Sequence, residues 1–217
     1  MESALSALEA LIERHAEVGK DLYDRCEASL FPADTVALAV LDRSMSLIRG
    51  FVLLARNGDY IPAAGLLRMQ LDNVLRFYGI KMSGDPHGVA NKVIQGVALR
   101  KIADSSGEKM TDARLKELLA ITNPWVNHVY ALSSGYIHLS EQHVMHLMQR
   151  SARDENGVRQ LAIGDEDEYL SEEQRLDLAN TFLVIARGVL KLVESWASDR
   201  ESYGTKAELG ARFKSAV

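Results

Sequence analysis

Leu5, Leu8, Leu11, Ile12, Val18 and Leu22 recur at helical intervals with charged residues between them. One face of a 3.6-residue period is apolar, which predicts a helix from Glu2 to about Ala28, broken at Phe31-Pro32. A second stripe through Val36, Val40, Leu41, Leu47, Ile48, Phe51 and Leu54 predicts a long core-facing helix from about Asp34 to Ala55. Asn57-Gly58 stops it. The third begins around Tyr60, accepts Pro62 in its first turn, and runs to about Met82 before the turn Ser83-Gly84-Asp85-Pro86.

Helical spacing resumes from His87 or Gly88 to about Asp104, then from Thr111 to Ile121, with Thr111 or Asp112 as N-cap. Asn123 is placed to cap a helix carrying Pro124 in its first turn and continuing through Val126, Val129, Tyr130 and Leu132, and Gly135 is expected to weaken or end it. HVMHLMQRSARDENGVRQLAIG reads instead as two short strands, about Val144 to Arg150 and Val158 to Ile163, joined by a turn at Glu155-Asn156-Gly157. The acidic run Asp165-Glu166-Asp167-Glu168 reads as a solvated loop. Ser171 with Gln174 then matches a capping box and opens a helix to about Ser198. Residues 199–217 read as a weakly amphipathic peripheral tail.

These elements predict one domain of mainly all-α class, a helical bundle with a small β-hairpin before the long last helix and a core over about residues 35–198. The length of 217 residues agrees with a single domain able to bury a sizeable core. Hydrophobic residues at 47% and charged residues at 25% describe a globular chain rather than a disordered one. The formal charge of −5 opposes a broad electrostatic grip on nucleic acid, although a local basic groove stays compatible with it. The single cysteine, Cys26, excludes an intrachain disulfide and reads as a buried thiol. The N-terminal stretch lacks a signal-peptide pattern, and no apolar run reaches membrane-spanning length, so a soluble, cytoplasmic protein without membrane contact is expected.

Two groups of residues could carry chemistry. Arg68, Asp72 and Arg76 stand four residues apart on one strip of the third helix, either as a surface ladder of ion pairs or as a cleft in which an arginine fork holds a carboxylate or phosphate. The stretch TNPWVNHVYALSSGYIHLSEQH gathers His128, Tyr130, Ser133, Ser134, Tyr136, His138, Ser140 and His143. A histidine titrates near neutral pH and can act as acid or base, with a neighbouring Tyr or Ser to orient it. His138 could equally cap the end of the preceding helix. His138, His143 and His146 could supply nitrogens to a metal, but on a strand His143 and His146 point to opposite faces, so no metal site is assigned. Ser133 and Ser134 lack the glycine-flanked elbow of a hydrolase nucleophile. No GxxxxGK[ST] or GxGxxG loop is present, and no cofactor is expected. Trp125, Phe182 and Trp196 read as core aromatics.

The order AAGLLRMQLDNVLRFY, then VYALSSGYIHLS, then a hairpin and a long helix resembles the HEPN-like helical proteins, prokaryotic domains that include abortive-infection proteins. The resemblance covers roughly residues 35–198. It rests on Leu66-Leu67-Arg68 with Asp72 and on Tyr130-Ala131-Leu132-Ser133 leading to His138. It implies a helical bundle, frequent homodimerisation and, in catalytic members, metal-independent RNA cleavage associated with an Arg-x4-6-His motif. No arginine and histidine in this chain have that spacing. The expected role is therefore binding or regulation through RNA or a protein partner, in a phage-defence or toxin-antitoxin setting. The alternative is a ribonuclease using His138 with Tyr130 and Ser133, and with Arg68 or Arg76 supplied from another helix. On either reading Arg68, Asp72, Arg76 and His128 are the candidate ligand- or phosphate-binding residues.

Overall fold

The computed structural model describes residues 1–213 apart from 28, 138–139, 150, 162 and 164–169, and leaves aside the side chains of Ser134, Ile137, Gln142, His146 and Gln149. Among the described residues, long helices α1 (Glu2–Arg25), α2 (Pro32–Arg56), α3 (Tyr60–Lys81) and α8 (Glu172–Asp199) form the bundle. Around them lie α4 (Pro86–Ile94), α5 (Asp112–Ala120), α6 (Trp125–Ile137), α7 (Glu141–Gln149) and α9 (Lys206–Arg212), with a two-stranded antiparallel hairpin of β1 (Ala152–Arg153) and β2 (Arg159–Gln160). The expected class, a helical bundle with one hairpin before the long helix, is what the chain adopts.

Helix α8 packs against α1, α2 and α3, so it lies at the centre of the bundle. Its broad apolar surface explains the position: Phe182, Ile185, Ala186, Val189, Val193 and Trp196 are all buried. Phe182 stacks on Phe51 of α2 at a centroid distance of 4.3 Å, and Trp196 meets Phe77 of α3 edge-on at 6.1 Å. Such aromatic contacts add to the burial of the rings themselves. The capping box works as the sequence predicts: Gln174 N–H donates to Ser171 Oγ at 3.2 Å and Ser171 N–H to Gln174 Oε1 at 2.9 Å.

Several local expectations are corrected. The helix expected over 87–104 ends at Ile94, because the chain turns at Gly96 with φ +86°, and only a 3-10 turn, Leu99–Lys101, follows. Helix α6 continues through Gly135 to Ile137; a single glycine weakens a helix without ending it when the flanking turns pack. The strand expected at Val144–Arg150 is helix α7 from Glu141 to Gln149. There, Ser140 N–H donates to His143 Nδ1 at 3.2 Å while His143 N–H donates to the Ser140 carbonyl at 3.1 Å, a reciprocal cap three residues long. Val144, Leu147 and Met148 fit a helical period as well as a strand, and the cap decides between them.

The hairpin thereby shifts to Ala152–Arg153 against Arg159–Gln160, around the expected turn. Asp154 Oδ1 accepts from the N–H groups of Asn156 and Val158, both at 2.9 Å, and Gly157 takes φ +78°. The peripheral tail also contains more order than expected: Thr205 and Glu208 form a capping box that starts α9, and Leu209 is buried. The acidic run Asp165–Glu168 lies outside the described residues.

Candidate functional site

The strip on α3 becomes a polar hub where α2, α5 and α6 reach it. Arg76 Nε donates to Asp72 Oδ1 at 2.7 Å, the i,i+4 pair expected from the sequence. Asp72 Oδ2 also accepts from Arg43 Nη1 of α2 at 3.1 Å. Arg68 turns away from Asp72 to Asp112 of α5, donating from Nη2 at 2.9 Å, and Arg76 Nη2 reaches the other oxygen of Asp112 at 3.2 Å. The Arg68 guanidinium lies over the Tyr130 ring of α6, 4.5 Å from its centroid. Three arginines thus share two carboxylates. Arg68 Nη1 is buried with no acceptor among the described residues.

A second run of hydrogen bonds leaves the hub and crosses the core. Arg43 Nη1 donates to Asn73 Oδ1 at 2.6 Å, Asn73 Nδ2 to Gln70 Oε1 at 3.0 Å, and Gln70 Nε2 to Ser44 Oγ. Ser44 Oγ lies 2.8 Å from His15 Nε2, and His15 Nδ1 lies 2.7 Å from the Leu11 carbonyl. A carbonyl only accepts, so Nδ1 carries the proton and Nε2 accepts from the serine. Every donor in the run therefore points from Arg43 towards α1. His15, Ser44, Gln70 and Asn73 are buried, and this satisfied chain is what lets four polar residues sit among Leu41, Leu47, Leu67 and Leu71. Burial lowers the His15 pKa, opposed by the bond to Leu11.

Beside the hub opens a cavity of about 380 Å³ between α2, α3 and the segment from α4 to the 3-10 turn. Arg43, Asp72, Asn73 and Arg76 occupy its polar end; Val36, Val40, Phe77, Ile80, Val93 and Leu99 form apolar walls. A concave apolar site with a few convergent polar groups is the usual form of a small-molecule site.

Arg68, Asp72 and Arg76 share the strip that their spacing predicts, and the packing of α6 brings Tyr130 to them. Ser133 is buried and its hydroxyl donates to the Val129 carbonyl at 2.7 Å, inside its own helix. His128 stands exposed on α6, outside the hydrogen-bonded network. His138 lies outside the described residues, as does the His146 side chain, so the histidine cluster is not described as a whole. Among the described residues, no group of three or more His, Cys, Asp or Glu side chains could hold a metal ion. Arg43, Asn73 and Asp112 were not anticipated. Asn73 carries one sequence signal, a polar residue interrupting an apolar stripe, as Ser44 also does in α2 and Gln70 in α3, whereas Asp112 opens α5 and reads only as a cap.

A second cavity, of about 290 Å³, lies between the end of α1 and residues Arg200–Leu209. It includes Cys26, which is buried as expected; burial, reinforced by the charge of Asp34, pushes its thiol up to about 11, which keeps it protonated and unreactive at neutral pH. No family model, curated protein or solved structure matches the chain. Among the described residues, no helix is long and apolar enough to cross a membrane.

Proposed function

We propose that the protein is a non-catalytic, HEPN-like binding and regulatory protein whose recognition centre is the hub on α3, acting in a phage-defence or toxin-antitoxin setting. The observation that carries this reading is how the arginines are engaged. Arg68 is held by Asp112 and by the face of Tyr130, and Arg76 spans Asp72 and Asp112. A phosphate of an RNA backbone would have to displace these internal carboxylates before Arg68 or Arg76 could grip it through the donors now engaged. The Ser133 hydroxyl is turned into its helix and does not face a ligand. A binding centre tolerates such engagement, because a ligand needs only the donors left over.

The ribonuclease reading keeps one point in its favour. Arg68 of α3 touches Tyr130 of α6, the helix whose chain leads on to His138. The test is cleavage of total RNA and tRNA by chelator-treated wild type and His138→Ala, both checked for folding. No cleavage by either supports the binding role; cleavage lost in His138→Ala makes the protein a nuclease and sinks it.

A second copy of the chain is the partner that the exposed apolar surface suits. Val144, Met145 and Met148 on α7, and Val158, Leu161 and Ile163 in and just after the hairpin, are exposed, and exposed apolar surface on a small protein is commonly covered by another chain. Light scattering should give a dimer mass for wild type and a monomer mass for Met145→Asp combined with Ile163→Asp; a wild-type monomer at every concentration would remove the dimer.

A further inference from the structure

We infer that the cavity between α2, α3 and the segment 93–99 is a binding site for a small amphipathic monoanion, a carboxylate on a short unbranched or aromatic apolar body. This deepens, and rests on, the reading of the hub as a binding centre.

Charge fixes the sign and size of the ligand's head. Arg43, Arg68 and Arg76 face Asp72 and Asp112, so the hub carries one positive charge beyond what its carboxylates neutralise. A single carboxylate completes the balance, whereas a dianionic phosphate would leave excess negative charge next to Asp72. The available donors lie on the cavity side. Arg43 uses only Nη1 among the described residues, and Arg76 uses Nε and Nη2. Arg43 Nε and Nη2 and Arg76 Nη1 have no acceptor there, and both residues line the cavity. Their side chains are 41% and 39% exposed, so the forks are reachable from solvent, while Asp72 between them is 20% exposed.

Shape fixes the body. Val36, Val40, Phe77, Ile80, Val93 and Leu99 present hydrocarbon to the rest of the cavity. At about 30 Å³ for each water-sized group, its volume takes roughly a dozen non-hydrogen atoms. A ligand with a charged head at the arginines and an eight-carbon tail has about ten, within the range for a small-molecule site. A sugar phosphate or a free inorganic anion would leave the apolar walls wet. A polynucleotide could place only one unit in such a space.

Asp72 has a further part in selection. It stands between the two forks and accepts from both, so it holds them apart and in place before a ligand arrives. Preorganised forks lose less freedom on binding. Asp72 would also repel a second negative charge on the head group.

The experiment is isothermal titration calorimetry of the full chain with octanoate, octan-1-ol, octylammonium and octyl phosphate at fixed ionic strength. Octanoate should bind one to one with a dissociation constant of roughly 10–100 μM, and octan-1-ol and octyl phosphate should bind at least about tenfold more weakly. Arg43→Gln should weaken octanoate by about tenfold. Arg43 also supports the buried polar run, so a second variant, Ala39→Trp, blocks the cavity from an exposed position and should abolish binding without unfolding the bundle. Octan-1-ol or octylammonium binding as tightly as octanoate overturns anion recognition. Absence of saturable octanoate binding by folded wild type, or binding unchanged in Ala39→Trp, overturns the site. Neither result bears on RNA cleavage, which tests the wider reading separately.

Discussion

Helix α2 carries two arginine–aspartate clusters, and they are assembled in opposite ways. At its first turn, Asp34 is fully buried and accepts from four donors: Arg200 Nε at 3.2 Å and Nη2 at 3.0 Å, the Trp196 indole at 3.0 Å, and Phe31 N–H at 3.0 Å. One carboxylate meets one guanidinium, and the Arg200 side chain is only 13% exposed. Farther along the same helix, Arg43 enters a hub with three arginines, two carboxylates and an open cavity. The first cluster is balanced and closed, so it fastens α2 to the end of α8. The second is unbalanced and open, so it can take a ligand. Charge stoichiometry and access, rather than the presence of ion pairs, separate a structural site from a recognition site.

The largest expected effect comes from breaking the closed cluster. Asp34→Ala leaves Arg200 and the Trp196 N–H buried without an acceptor, and should cost about 3–5 kcal/mol of stability in urea unfolding. A cost under about 1 kcal/mol would show that the cluster is loosely held.

Next is the response to acid, which probes the buried histidines beside each cluster. Burial lowers the pKa of His15, at the far end of the hub's polar run, and of His87, which faces Asp34, Arg200, Asp85 and Arg212. His87 Nδ1 accepts from Ala33 N–H at 3.3 Å, so it is neutral with its proton on Nε2, where it lacks a partner among the described residues. A group with a lowered folded pKa gives stability that is present above its unfolded value of about 6.5 and declines below it, because the unfolded chain takes up the proton first. Stability should therefore fall from about pH 6.5 downward, by at most ~1.4 kcal/mol per pH unit for each histidine, and level off below the folded values. Urea midpoints measured from pH 7.5 to 4.5 check this. Replacing His15 by Gln should remove part of the slope; a slope identical to wild type would mean that His15 takes up its proton over the same pH range in the folded and unfolded chain.

The smallest effect belongs to the hub's own carboxylate. Asp112→Asn keeps the shape of the side chain but removes a charge from a site about one-third exposed, so it should cost only about 0.5–1 kcal/mol. The same change leaves an additional positive charge at the cavity, and octanoate should bind several-fold more tightly. Weaker octanoate binding would mean that Asp112 holds Arg76 in its receptive position more than it competes for it.

Local features carried most of what the sequence made legible. The Ser171–Gln174 box, Pro62 in the first turn of α3, the Asn57-Gly58 stop and the apolar stripes of α1, α2 and α8 all act within one or two turns. The errors arose where a local signal was ambiguous. HVMHLMQ fits both periods, and Ser140 with His143 chooses the helix. The i,i+4 spacing of Arg68, Asp72 and Arg76 placed them on one strip, and it correctly paired Arg76 with Asp72, but it could not show that Arg68 would prefer Asp112, 44 positions away.

The sequence alone determined the helical class, the capping box that opens α8 and the strip on α3, because periodicity and capping depend on neighbours in the chain. Only the tertiary structure decided that Arg43, Asp72, Asp112 and Tyr130 meet, that three arginines divide two carboxylates, and that an apolar cavity opens beside the unneutralised charge. Those are contacts between helices, set by packing angles and by which polar groups burial forces to find one another. A one-dimensional pattern encodes them only through the fold it produces.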